Sequence, residues 1–179
     1  MALAELHVTQ NKVADATQLL QSLDGSASTS ERKLKAQLKL AEVYLSQKQI
    51  AAAEPLIEKI IEKDRRNTGA LRLRAAIRIE KGQIDSAISD LRDALNDQPK
   101  SPDLLMLLAV AYEKGGKNEL ADRQYADALK FSNSNPQVAL RYVSFLQRRG
   151  DYAHAEDVLI DVSSRYPGNL QILSSLAQV

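Results

Sequence analysis

Residues 102–135, PDLLMLLAVAYEKGGKNELADRQYADALKFSNSN, hold two amphipathic segments on either side of a glycine pair. Leu105, Leu108, Ala109 and Tyr112 recur at helical spacing, which predicts a first helix from about Pro102 to Lys114. Proline suits the opening turn, where its missing N–H has no acceptor to lose, and Gly115-Gly116 ends the helix and supplies the turn. A second helix, from about Glu119 to Ser132, carries Ala121, Tyr125 and Ala128 on one face. The small side chains at Ala109, Ala121 and Ala128 let the two helices approach closely, while Leu and Tyr fill the space between them. Asn133 to Pro136 then breaks the chain.

Outward from this stretch the same pattern returns every 34 residues. Ala41, Ala75 and Ala109 stand in phase, as do Ala53, Ala87, Ala121 and Ala155, and Gly82, Gly116 and Gly150. Pro99 and Pro167 lie two periods apart. The full units are 34–67, 68–101, 102–135 and 136–169. Before them, Ala16, Leu20 and Leu23 fit a second helix and Leu3 and Ala4 part of a first one. Residues 24–33 (DGSASTSERK) form a polar joint, so 1–33 reads as a degenerate first unit. After them, Leu170, Leu173, Leu176 and Ala177 open a sixth unit over 170–179. A repeat array normally closes on a polar capping helix. The expectation is therefore a single array over 1–179, cut from a longer one.

This pattern resembles the tetratricopeptide repeat family, whose units place a large residue at position four, Leu at seven, a small residue at eight and Tyr at eleven. Ala follows at twenty, an aromatic at twenty-four, Ala at twenty-seven and Pro at thirty-two. Residues 102–135 match with Leu105, Leu108, Ala109, Tyr112, Ala121, Tyr125 and Ala128, and depart with Asn133 in the proline slot. The unit before it gives Leu71, Ala75, Ala87, Leu91, Ala94 and Pro99, but has Arg74 and Arg78 where the family has Leu and Tyr. Leu40, Ala41, Tyr44 and Ala53 carry the match in 34–67, and Tyr142, Leu146, Ala155, Leu159 and Pro167 in 136–169. The resemblance implies an all-α fold, a right-handed superhelical solenoid of antiparallel helix pairs, in the style of long bacterial arrays.

Composition excludes several function classes. Of 179 residues, 44% are hydrophobic and 26% charged, with net charge +1, the profile of a soluble globular chain without the basic excess that phosphate backbones or anionic membranes require. There is no Cys, which removes disulfides and thiolate metal sites but assigns no compartment. The apolar run Leu104–Tyr112 is far short of the roughly 20 residues that cross a bilayer. The N-terminus lacks the basic and apolar blocks of a signal peptide. His7 and His154 have no histidine at ligand spacing, so no metal site is expected. No acid–base pair stands out among the carboxylates, and Gly115-Gly116-Lys117 lacks the strand and remaining residues of a phosphate loop. The chain is read as non-catalytic and without a cofactor. The arginines Arg65, Arg66, Arg72, Arg74 and Arg78 are offset by Glu58, Glu62, Asp64 and Glu80, which disfavours nucleic acid. The heads of Arg74 and Arg78 are expected to reach Asp90 or Asp93.

In the resembled family the first helices line a concave groove through positions two, five, nine, twelve and thirteen. Carried over, these positions give Lys35, Leu38, Glu42, Leu45 and Ser46, then Arg72, Ala76, Ile79 and Glu80. Asp103, Met106, Val110, Glu113 and Lys114 follow, then Gln137, Leu140, Ser144, Gln147 and Arg148. An apolar strip (Leu38, Ala76, Ile79, Met106, Val110, Leu140) with a charged rim suits a partner peptide or amphipathic helix. The carboxylate clamp of chaperone-binding members is absent at both possible registers: Leu38, Glu42, Leu73, Asp103 and Leu107, or Arg72, Ala76, Leu107, Gln137 and Arg141. The favoured function is a protein–protein interaction scaffold. The alternative is an architectural spacer, without a ligand of its own, in a larger assembly or exopolysaccharide-export protein. Open apolar ends, Leu3, Leu6 and Val8 at one and Leu173, Leu176 and Ala177 at the other, predict weak self-association.

Overall fold

Small residues at fixed intervals determine how the helices pack. Ala41, Ala53, Ala75, Ala87, Ala109, Ala121 and Ala155 are all 0% exposed, so in a close-packed interior a longer side chain there would have to displace its neighbours. The computed structural model describes residues 30–179, with Ala14, Gln18 and Ser22 before them, and all regular elements among the described residues are α-helices. The first-unit residues Leu3, Leu6, His7, Val8, Ala16, Leu20 and Leu23 lie outside the described residues.

The chain divides into two compact units, Met1–Asp97 and Gln98–Val179. In the first, α1 (Ser30–Ser46) and α2 (Ile50–Lys63) form one hairpin, and α3 (Thr68–Glu80) and α4 (Ile84–Asp97) a second. Helix α2 also packs on α3, and α1 on α3. Ile57, Ile60, Ala70, Leu73 and Ile77 join Ala41 and Ala53 in the core. A Cβ at Gly69 on α3 would stand 2.6 Å from Leu38 Cδ2 on α1, so a larger residue there would require the Leu38 side chain to shift. In the second unit, α5 (Pro102–Lys114) pairs with α6 (Asn118–Phe131), and α7 (Pro136–Arg148) with α8 (Tyr152–Arg165). Helix α6 packs on α7, and the short α9 (Leu170–Leu176) on α8 and α7. An aromatic cluster fills the centre, with Tyr125 and Phe145 ring centroids 4.9 Å apart and Tyr125 and Tyr142 5.7 Å apart. On α9, Ile172 is buried, whereas Leu170 is 80% and Leu173 41% exposed.

The turn inside each hairpin is closed in one way. The N–H of Gln49, Gln83, Lys117 and Asp151 donates to the carbonyl five residues back, on Tyr44, Arg78, Tyr112 and Leu146, at 2.8–3.0 Å. The residue just before each donor is left-handed, as this helix ending requires. It is glycine in three turns (Gly82 φ +75°, Gly116 φ +70°, Gly150 φ +75°) and Lys48 (φ +61°) in the first. The joint after α6 explains the departure at the family's proline slot. Asn133 and Ser134 both have φ +56°, out of reach of a proline ring that holds φ near −65°.

Candidate functional site

Each first helix turns one face towards the next first helix of its unit, and in the second unit this leaves a cleft of about 630 Å³. Helix α5 supplies Val110, Glu113 and Lys114, α6 supplies Tyr125, and α7 supplies Gln137, Leu140, Arg141, Ser144 and Arg148. Val110 and Leu140 are half-buried and form its apolar part.

Glu113 organises one wall. Arg148 donates to its Oε1 through Nε at 2.9 Å and Nη2 at 2.7 Å, and the Tyr125 hydroxyl donates to Oε2 at 3.0 Å. Both carboxylate oxygens are therefore engaged, and α5, α6 and α7 are tied together across the cleft. Burial, reinforced by the Glu113 charge, pushes the Tyr125 phenol well above its usual range, so the hydroxyl stays a donor at any ordinary pH. Ser144 donates to the Leu140 carbonyl at 2.8 Å, and Gln137 to the Gln171 side chain at 3.2 Å.

Seven residues expected in the groove, Val110, Glu113, Lys114, Gln137, Leu140, Ser144 and Arg148, thus line one cleft. Asp103, exposed in the first turn of α5, and the half-buried Met106 lie on the same helix outside that lining.

In the first unit the corresponding positions behave differently. Arg72 Nη2 donates to Glu42 Oε1 at 2.8 Å, and Lys39 Nζ to Glu42 Oε2 at 3.0 Å, so these charges satisfy one another. Ala76 lines a smaller cleft of about 320 Å³ with Leu45, Lys48, Ile50, Ile77 and Glu80. Leu38 is half-buried against Gly69, Lys35 is exposed and paired with Glu31 at 2.6 Å, and Ile79, 5% exposed, packs into the interior.

The two arginines in family Leu and Tyr slots meet Asp90, which is buried. Arg74 grips it with Nε at 3.0 Å and Nη2 at 2.8 Å, Arg78 adds Nη1 at 2.6 Å, and Arg74 Nη1 also reaches Glu58 at 3.0 Å. Hydrogen bonding to Asp90 is the main cause that holds the Arg74 pKa above its usual value. Their charge is answered within the fold. Among the described residues no group of three or more His, Asp or Glu is placed to hold a metal ion. His154 sets its ring edge-on to Tyr142 with centroids 5.5 Å apart. No helix among the described residues is long and apolar enough to cross a membrane.

Tyr125 and Arg141 were not among the residues expected at the site. Tyr125 reads as a filler of the hairpin interior, and its polar tip reaches the cleft only because Glu113 stands opposite. A further cleft of about 500 Å³, between α6, α7 and α8, is lined by Asp122, Arg123, Lys130, Tyr142, His154 and Arg165 among others. The Tyr142 hydroxyl donates to Asp122 there at 2.8 Å. No regular position of the repeat announces it.

Comparison with known proteins gives the family and the fold. The family model described as the coatomer epsilon subunit matches residues 1–144. The type IV pilus assembly protein PilF of Pseudomonas aeruginosa is 30% identical over 103 residues, covering 56% of this chain and 41% of that protein. The BBSome complex member BBS4 of Bos taurus is 41% identical over 69 residues, covering 38% of this chain and 13% of that protein. The chain thus spans less than half the length of either relative. A TPR protein of Thermus thermophilus superposes with a TM-score of 0.78 at 17% identity, over 99% of this chain and 95% of that one. The fold is accordingly the tetratricopeptide, all-α helical repeat.

Proposed function

Because the chain belongs to the coatomer epsilon subunit family and has the tetratricopeptide repeat fold, we propose that it is a non-catalytic protein-interaction scaffold. It holds a segment of a partner protein in the cleft between α5 and α7. The observation that carries this reading is the cleft itself: an apolar floor at Val110 and Leu140 inside a polar rim, with Glu113 and Arg148 fixed in advance by their mutual hydrogen bonds. A preformed lining of this kind loses little side-chain freedom when a ligand enters, so more of the contact energy appears as affinity. The names of the relatives point the same way: a coatomer subunit, a pilus assembly protein and a BBSome complex member.

The test is capture of partners from the cell's own extract by the wild-type chain and by Val110→Glu/Leu140→Glu. Both residues are half-buried at the cleft, so helix content by circular dichroism should stay unchanged while capture is lost, since each new carboxylate would be desolvated against an apolar segment. A partner captured equally well by the variant places binding elsewhere and defeats the proposal. A chain that captures nothing specific favours the spacer role.

A further inference from the structure

The charges of the α5–α7 cleft do not balance. Glu113 is the one carboxylate in its lining, and both its oxygens are already taken by Arg148 and Tyr125. Lys114 and Arg141 line the same cleft, are exposed, and make no ion pair among the described residues. They stand beside Val110 and Leu140, so two uncompensated cations border an apolar floor. The first-unit cleft is lined by one cation and one carboxylate, Lys48 and Glu80, so its charges balance. The excess of positive charge is therefore a property of this cleft and not of the repeat in general.

We propose that the segment bound between α5 and α7 carries side-chain carboxylates next to an aliphatic side chain, with Lys114 and Arg141 receiving the carboxylates and Val110 and Leu140 the aliphatic group. The proposal rests on the cleft being the binding site. Two features favour a peptide carboxylate over a polyanion. A guanidinium offers a planar fork matched to a carboxylate. The neighbouring contact surface is apolar, which a phosphate backbone would leave unused. A neutral or basic segment would leave both cations unanswered on desolvation.

The test uses random short peptides displayed on phage and fused through their C-terminal ends, so that no free chain carboxylate is offered. Enriched peptides are resynthesised with amidated C termini and titrated against wild type, Lys114→Glu/Arg141→Glu and Val110→Glu/Leu140→Glu. Sequences rich in Asp or Glu beside Leu, Ile or Val are expected. Their affinity should fall at least about tenfold on the Lys114→Glu/Arg141→Glu variant, and peptides with Lys in place of the acids should then bind it better than wild type. Lys114 and Arg141 are both exposed, so circular dichroism should show the fold unchanged. If enriched peptides are lost on the Val110→Glu/Leu140→Glu variant but are neutral or basic, or resist charge reversal, this proposal fails and the cleft reading stands. Binding untouched by either variant, or a library that yields no binder, overturns both. A single-stranded oligonucleotide that competes for the cleft and binds more tightly than any peptide overturns the peptide assignment.

Discussion

At the scale of single residues, the first hairpin turn departs from its equivalents. Where the other three hairpins have glycine in the left-handed region, this one has Lys48 at φ +61°. A side chain with a Cβ pays a steric penalty there of about 1–2 kcal/mol, because Cβ crowds the following carbonyl. The turn forms nonetheless, since Gln49 N–H closes on the Tyr44 carbonyl at 2.8 Å and the surrounding helices hold it. Lys48→Gly should therefore stabilise the protein, by about 1 kcal/mol after allowing for the greater freedom of glycine in the unfolded chain. Urea unfolding followed by circular dichroism would read this as a higher midpoint at unchanged slope. A lower midpoint would mean that the lysine side chain contributes more than its backbone costs.

At the scale of elements, the helices were legible and the polar links between them were only partly so. Alanine at a crossing is decided by sterics alone, so the 34-residue recurrence located the hairpins and their buried faces directly. The recurring caps at Asn67, Asn135 and Asn169 were equally available, for each side chain accepts an N–H of its own helix's first turn. The lining of the cleft was harder to read, because one repeat position takes several environments. At the twelfth position Leu45 is half-buried beside a small cleft, Ile79 is interior, and Glu113 is ion-paired. Exposure there depends on which side chains stand opposite, and the period does not encode that.

The Asp90 cluster also lives at this scale, joining α3 to α4 through two arginines in apolar slots. Asp90→Ala should cost about 3 kcal/mol, the low end for breaking a buried pair, since Arg74 and Arg78 keep some access to water. Replacing all three together, Arg74→Leu, Arg78→Tyr and Asp90→Ala, should recover that loss, because an apolar interior of similar volume avoids desolvating the charges. Thermal unfolding of the single and triple variants distinguishes the cases. A triple variant as weak as Asp90→Ala would show that the ion cluster contributes net stability.

At the scale of the whole molecule, the fold follows from repetition of one hairpin, while any specific function resides where a copy departs from the pattern. Of the two clefts described between first helices, one balances Lys48 against Glu80 in its lining and the other keeps Lys114 and Arg141 exposed beside an apolar floor. A partner segment is expected to lie in that second cleft. Hydrogen exchange, measured on the chain alone and with a captured partner bound, tests it most directly. New protection is expected on residues 102–114 and 136–148, the two helices that wall the cleft. Protection confined to residues 118–131 and 152–165, with α5 and α7 exchanging as before, would contradict it.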